Sequence, residues 1–275
     1  MFKEYSYIND YEYTNGWDRY ALDYEKLLVP NTVYYLTKQV MHHLVDQHKG
    51  TNRNGQVDVL DINCGTGNDF PFFFDRGWSV VGCDGSEGML NRAYENYHAF
   101  INSGKLRLYS GMIEDIGENT FQPRQFDLIF SVTGGFSYVT DEQLVTINNT
   151  VSKFLKKDGV LIVAHLNKYC IPEMLYRLSH LKYPFYRMRN TLEVNIKGEK
   201  QIMYLRSVQQ LKRLYSETFS EIQTLPLLSF TPPYQSGFSP GTKLLKKFRK
   251  LELKNINNSW LCHSADQVVT VCRNV

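Results

Sequence analysis

Val59-Leu60-Asp61-Ile62-Asn63-Cys64-Gly65-Thr66-Gly67 is the stretch that decides the fold. An apolar run ends in an acidic residue, passes through a small-residue turn and enters a helix at Phe70. Glycines in such a turn let the backbone approach a ligand closely, and the helix N-terminus offers unpaired N–H donors. The next apolar run, Trp78 to Cys83, leads into Asp84, 23 residues after Asp61. A carboxylate at the tip of a second strand can accept two hydrogen bonds from a ribose diol. Together these describe an adenosine-ligand site at the carboxyl edge of a parallel sheet. A dinucleotide fingerprint needs a third glycine where Phe70 stands, and the Gly-Lys-Ser/Thr of a P-loop is absent.

Outward from this turn, strands and helices alternate. Val57 to Ile62 reads as a buried strand, and Phe70 to Arg76 as a short helix with Pro71 in its first turn and Gly77 closing it. Trp78 to Cys83, Lys105 to Ser110, Phe126 to Val132 and Gly159 to Leu166 are further strands. Between them, Ser86 to Ser103 buries Met89, Leu90 and Ala93, and Asp141 opens a helix carrying Leu144, Ile147 and Val151. Further on come a helix over Ile171 to Leu181, a hairpin turning at Lys197-Gly198, an amphipathic helix from Ser207 to Thr218 and a strand within Phe219 to Phe230. A helix from Gly241 to Leu253 and a last strand, Gln267 to Arg273, complete the chain. Before the turn, the first 30 residues hold Trp17 and six tyrosines and read as an ordered arm or lid. A helix after Asn31 and a polar loop over 50–56 follow.

With 43% hydrophobic and 21% charged residues, the 275-residue chain can bury an ordinary core. A net charge of +3 is too small to imply a nucleic-acid partner by itself. The five cysteines form no CxxC pair, which argues against a zinc ribbon or a disulfide scaffold. The N-terminus carries no apolar leader and no apolar run reaches the length of a membrane span. The expectation is a cytoplasmic protein with neither nucleic-acid nor membrane partners and no metal, as a monomer or homodimer.

The turn resembles motif I of the class I S-adenosylmethionine (SAM) dependent methyltransferases, in which an acidic residue precedes alternating glycines. The resemblance continues through Val81-Gly82-Cys83-Asp84-Gly85-Ser86, Phe126-Asp127-Leu128-Ile129-Phe130-Ser131 and Asp158-Gly159-Val160-Leu161-Ile162, in order and with the right spacing over residues 57 to 166. Asn63 replaces the first glycine; as the non-glycine residue best suited to positive φ, it keeps the turn possible. Met112 sits where the family often has an acidic residue near the adenine, with Glu114 and Asp115 just beyond. The resemblance implies an α/β, Rossmann-like, doubly wound sheet of about seven strands, mostly parallel with an antiparallel last strand. It implies one domain: an arm and helix over 1–50, a cofactor core over 57–166, a substrate cap over 167–218, and a strand-helix-strand over 219–275. It also implies SAM as cofactor, bound by Asp61, Asn63, Gly65, Gly67, Asp84, Gly85, Met89, Ile113, Ser131 and Tyr24. Asp84 would hold the ribose, Met89 the adenine, the Ile113 backbone its edge, and Ser131 would lie near the transferred methyl.

Methyl transfer from a sulfonium is an in-line displacement in which the protein mainly aligns the acceptor and removes water. Three catalytic candidates border such an acceptor. His165, after the fifth core strand, is either a base or orienting group, or a hydrogen-bonded structural histidine. Tyr20 lies in Trp17-Asp18-Arg19-Tyr20-Ala21-Leu22-Asp23-Tyr24, which resembles the aromatic segment that small-molecule methyltransferases fold over the cofactor. Tyr138 follows the fourth core strand in Phe136-Ser137-Tyr138. His42 and His43 read as surface residues.

Thr231-Pro232-Pro233-Tyr234 resembles the motif of nucleic-acid amino-methyltransferases but lies about 100 residues after the strand that should carry it, so it reads as a turn. The basic stretch Lys243 to Leu251 reads as an amphipathic helix that could bind a membrane surface, RNA or an anionic substrate; the preferred reading packs Leu244, Leu245, Phe248 and Leu251 on the sheet and leaves the lysines solvated. The leading expectation is methyl transfer to an N or O atom of a small molecule. A SAM-binding regulator without transferase activity and an RNA or protein methyltransferase are the alternatives.

Overall fold

The computed structural model describes residues 2–28, 31–49, 55–132, 134–233 and 238–273. The loop expected over 50–56 falls largely outside them, as do Thr133 and Tyr234. The elements in chain order are β1 (Lys3–Glu4), α1 (Gly16–Leu28), α2 (Thr32–His48), β2 (Asp58–Ile62), α3 (Phe70–Phe74), β3 (Ser79–Asp84) and α4 (Glu87–Asn102). Then come β4 (Leu106–Ser110), β5 (Phe126–Ser131), α5 (Asp141–Phe154), β6 (Leu155–Leu166), α6 (Ile171–Ser179), β7 (Thr191–Ile196) and β8 (Glu199–Tyr204). The chain closes with α7 (Val208–Ser216), β9 (Glu221–Leu227), α8 (Thr242–Asn255) and β10 (Gln267–Arg273).

Eight of the described strands form one sheet in the order β1-β4-β3-β2-β5-β6-β10-β9. The run from β4 to β6 is parallel, and β10 lies antiparallel between β6 and β9. Strand order reverses between β2 and β5, so the loops after these strands diverge and leave a crevice at their carboxyl ends. Successive residues of a strand point to opposite faces. Val59, Leu128 and Phe130 therefore pack with α2, α3 and α4, while Leu60, Ile62 and Ile129 pack with α5 and α7.

The structure extends the expected architecture in several places. β1 adds an eighth strand, antiparallel on the edge of β4. Thr140, not Asp141, caps α5, in a capping box with Gln143. The cap is also shorter than 167–218. α7 buries Val208, Leu211, Leu214 and Tyr215 in the main core, so the insertion comprises α6 and the β7–β8 hairpin, closed at its neck where Asn167 bridges Arg206. On α8, Leu245 and Phe248 pack against the core, but Leu244 and Leu251 do not: they stay 43% and 42% exposed because Glu252 takes the inward face. Its buried carboxylate accepts from Ser229 N, Phe230 N and the Thr231 hydroxyl, tying down the turn after β9.

The arm is fastened by one carboxylate. Asp18 on α1 is fully buried. Its Oδ1 accepts from Ser86 Oγ at 2.6 Å and Gly88 N at 3.1 Å, and its Oδ2 from Tyr11 OH and Asn15 Nδ2, both at 2.7 Å. A negative charge at the start of α4 also complements the helix dipole. Around this point Tyr7 stacks on Tyr94 and Tyr5 donates to Asn91. Removing the carboxylate strands several buried donors, so Asp18→Ala should lower unfolding free energy by roughly 3 kcal/mol. Urea melts check this, with Asp18→Asn expected to lose less.

Candidate functional site

The site begins at the tips of β2 and β3. Cys64 N donates to Cys83 O at 3.0 Å, locking the two tips together. Asn63 adopts the positive φ expected of it, at 59°. Asp84 then closes the turn: Oδ2 accepts from Gly65 N at 2.8 Å and Oδ1 from Ser86 N at 2.9 Å. Burial pushes the Asp84 carboxyl up to about 6, against the pull of these two N–H donors. Beneath the turn, burial together with the charge on Asp69 holds the Asp61 carboxyl well above the usual range.

His42 is not the surface residue expected. Its Nε2 lies 2.7 Å from Asp69 Oδ1 and its ring stacks on Phe72 with centroids 3.9 Å apart. Lys38 bonds the Asn68 carbonyl and pairs with Asp69 at 3.5 Å. Burial alone would raise Asp69, but Lys38 and His42 hold it below its ordinary value. Helix α2 thus braces the segment that follows the glycines.

Whether this cradle suits SAM is tested by the groups left over. Asn63 Nδ2, Thr66 Oγ1 and Ser131 Oγ are buried without a hydrogen-bond partner. Such groups are costly unless something pairs with them. A Cβ added at Gly65 would meet nothing within 4 Å, so space stands open beside the turn. Open backbone, an acidic strand tip and orphaned polar atoms fit a polar ligand with a ribose. Met112 lies against Gly85, leaving no room there for a side chain. Glu114 and Asp115 are exposed. Met89 is buried in the first turn of α4, the turn that Asp18 caps, and Ile113 is buried with Val81 and Cys83. A concavity of about 390 Å³ lined by Asp58, Ser79, Lys105 and Arg107 lies at the opposite, amino-terminal edge of the sheet, away from this cradle.

The second wall is aromatic. Trp17 meets Tyr138 edge to face with centroids 5.5 Å apart and Tyr20 at 6.0 Å, and Tyr20 meets Tyr24 at 5.4 Å. The wall joins the cradle through Gly135, where a Cβ would collide with the Asn63 amide. Arg206, fully buried, holds the loop that carries Tyr138. It pairs with Asp141 at 2.8 Å and donates to the carbonyls of Phe136 and Val139 at 3.1 and 2.5 Å. Neither Asp18 nor Arg206 stood out in the sequence, although Asp18 lies inside the aromatic segment.

His165 does not join this wall. Its ring faces α7, with Nε2 2.8 Å from Tyr215 OH. Burial, with the nearby Arg206 charge, holds it well below its ordinary value, so it stays neutral. Its place in β6 turns it into the core, and its buried Nδ1 has no hydrogen-bond partner among the described residues. Phe136 is likewise core, fully buried against His165, and only Tyr138 of that segment reaches the wall.

Residues 59–159 match the family model of a methyltransferase domain. A protein of Haemophilus influenzae, itself described as uncharacterized, is 30% identical over 148 residues, 48% of this chain and 56% of its own length. The chain thus spans about half the length of that relative. Among solved structures, a SAM-dependent methyltransferase from Clostridium acetobutylicum is similar with a TM-score of 0.58 at 15% identity, covering 94% of this chain and 99% of its own. One from Listeria monocytogenes gives 0.58 at 17%, over 87% and 99%. A possible histamine N-methyltransferase from Thermotoga maritima gives 0.56 at 17%, over 94% and 99%. At such identities these likenesses establish the fold.

Asp84 supports a prediction with two signs. Its raised value means that the protonated form favours folding: that contribution is present at acid pH and lost as pH rises through about 6. Asp84→Asn should therefore be more stable than the parent at pH 8, by roughly 2 kcal/mol, with the difference vanishing toward pH 4. A ribose diol needs the ionised acceptor. The same variant should bind SAM at least about tenfold more weakly, and parent affinity should fall as pH drops through about 6. Thermal melts and calorimetric titration across pH check both signs.

Proposed function

We propose that this chain, whose residues 59–159 match the family model of a methyltransferase domain, uses SAM to methylate an N or O atom of a small-molecule acceptor. The observation that carries this reading is the cluster of Trp17, Tyr20, Tyr24 and Tyr138, whose Tyr138 segment packs on the glycine turn where Gly135 meets Asn63. Such a wall suits a modest acceptor, held flat by stacking or, if cationic, over the ring faces. The Thermotoga relative's description points toward a small amine in the same way.

SAM supplies a methyl carried on a sulfonium and so already activated for displacement. Asp84 would accept the ribose hydroxyls, and Asn63, Thr66 and Ser131 would pair their free polar atoms with the rest of the cofactor. Tyr20 and Tyr138 are pushed above the usual tyrosine range by burial, so at neutral pH they remain phenols that donate hydrogen bonds and do not act as bases. His165 is committed to Tyr215. Catalysis then rests on alignment and exclusion of water. The arm and the hairpin together would exclude water: Gly16 N donates to Glu199 Oε1 at 2.7 Å, Arg19 to the Lys197 carbonyl at 2.9 Å, and Lys197 pairs with Asp23.

Calorimetric titration with SAM and S-adenosylhomocysteine comes first, followed by a screen of amines, phenols and carboxylic acids for S-adenosylhomocysteine release. Binding without turnover on any acceptor would replace this reading with that of a SAM-binding regulator. With an acceptor in hand, Tyr138→Ala and Trp17→Ala should each lower kcat/KM by about 10- to 100-fold while SAM affinity changes by less than about twofold.

A further inference from the structure

The chain is nearly balanced in charge, with 31 Lys and Arg against 28 Asp and Glu, but two segments are not. Residues 168–189 and 238–258 hold eleven of those cations (Lys168, Arg177, Lys182, Arg187 and Arg189; then Lys243, Lys246, Lys247, Arg249, Lys250 and Lys254). They hold only two carboxylates, Glu173 and Glu252, and both are buried, one against Arg177 and Arg187 and the other against the turn after β9. These segments carry α6 and α8, which both contribute to a shallow apolar groove of about 320 Å³, lined by Leu175 and Tyr176 of α6, Phe248 of α8 and Phe238 before it.

Helical spacing orders the surface. On α6, Ile171, Leu175 and Leu178 share one face and are 49%, 61% and 53% exposed, and Leu181 just beyond is 99% exposed. On α8, Lys243, Lys246, Lys247, Lys250 and Lys254 fall on the face opposite the core, with the half-exposed Leu244 and Leu251 between them and the groove-lining Phe248. An apolar band thus runs from α6 across the groove to α8, edged by a lysine stripe. No described helix is long and apolar enough to cross a membrane.

We propose that the α6–α8 face docks the protein on an anionic lipid bilayer. A contiguous apolar surface rimmed by lysines matches the interface of such a bilayer: the leucines enter the headgroup–acyl boundary while the ammonium groups reach the phosphates. Nucleic acid would satisfy the lysines and leave the leucines in water. Self-association through this face would set like charges together.

Sedimentation of the full chain with unilamellar vesicles tests this, using phosphatidylcholine alone or with a third phosphatidylglycerol. Partition onto the anionic vesicles should be about a hundredfold stronger and should fall with added salt. The triple variant K246E/K247E/K250E and the double variant L175S/L178S should each weaken it by at least about tenfold, with unchanged circular dichroism and melting temperature. No partition, equal partition onto both vesicle types, or partition untouched in both variants overturns the proposal. So does retention of RNA that the leucine variant leaves unchanged, or a dimer that this variant dissolves in a chain that ignores vesicles.

Discussion

At the carboxyl ends of β2 and β3 two strands turn into helices within a few residues, and the backbone N–H groups bared there must find partners in a place largely closed to water. Two carboxylates meet that demand. Asp84 takes the N–H groups of Gly65 and Ser86, and Asp18, arriving from the arm, takes the Ser86 hydroxyl and the Gly88 N–H. Ser86 therefore couples the cradle to the arm. The same constraint that shapes the glycine turn fastens the aromatic segment, so the turn and the arm share one set of bonds.

The aromatic wall depends on a second buried charge. Arg206 stands at the neck of the cap and bonds Asp141 and two carbonyls of the loop bearing Tyr138. A guanidinium suits this task because its planar fork can serve several acceptors at once. The cap is thereby tied to the loop that shapes the acceptor wall, while its hairpin grips α1 from the other side through Glu199 and Lys197. Arm, insertion and core are thus tied to one another around the aromatic wall.

Charge is distributed to different ends. In the site, carboxylates are few, buried and matched to backbone donors. On the outer face of α8, five lysines gather beside exposed leucines, while Arg177 and Arg187 near α6 are paired with buried carboxylates. A net charge of +3 conceals this, because the opposite signs lie in different parts of the surface.

Much of the core was legible in the sequence. Alternating apolar runs marked β2 to β6, and turn chemistry marked Gly77, the Lys197-Gly198 hairpin and the positive φ of Asn63, because these features depend on neighbours in the chain. Asp84 could be placed at the tip of a strand from the sequence alone. Long-range pairings could not. The short β1 carries no periodic signal, and Leu244 and Leu251 share a helical pattern with Leu245 and Phe248, so only packing decided which of them turn inward. The partners of the histidines were hidden for the same reason: His165 found Tyr215 50 residues away, and His42 found Asp69 across 27. By itself, then, the sequence determined the strand-and-turn scaffold and the cofactor edge, whose causes are local. The tertiary structure alone decided which charged groups are buried, with whom, and which surfaces stay open, because those depend on contacts between residues far apart in the chain.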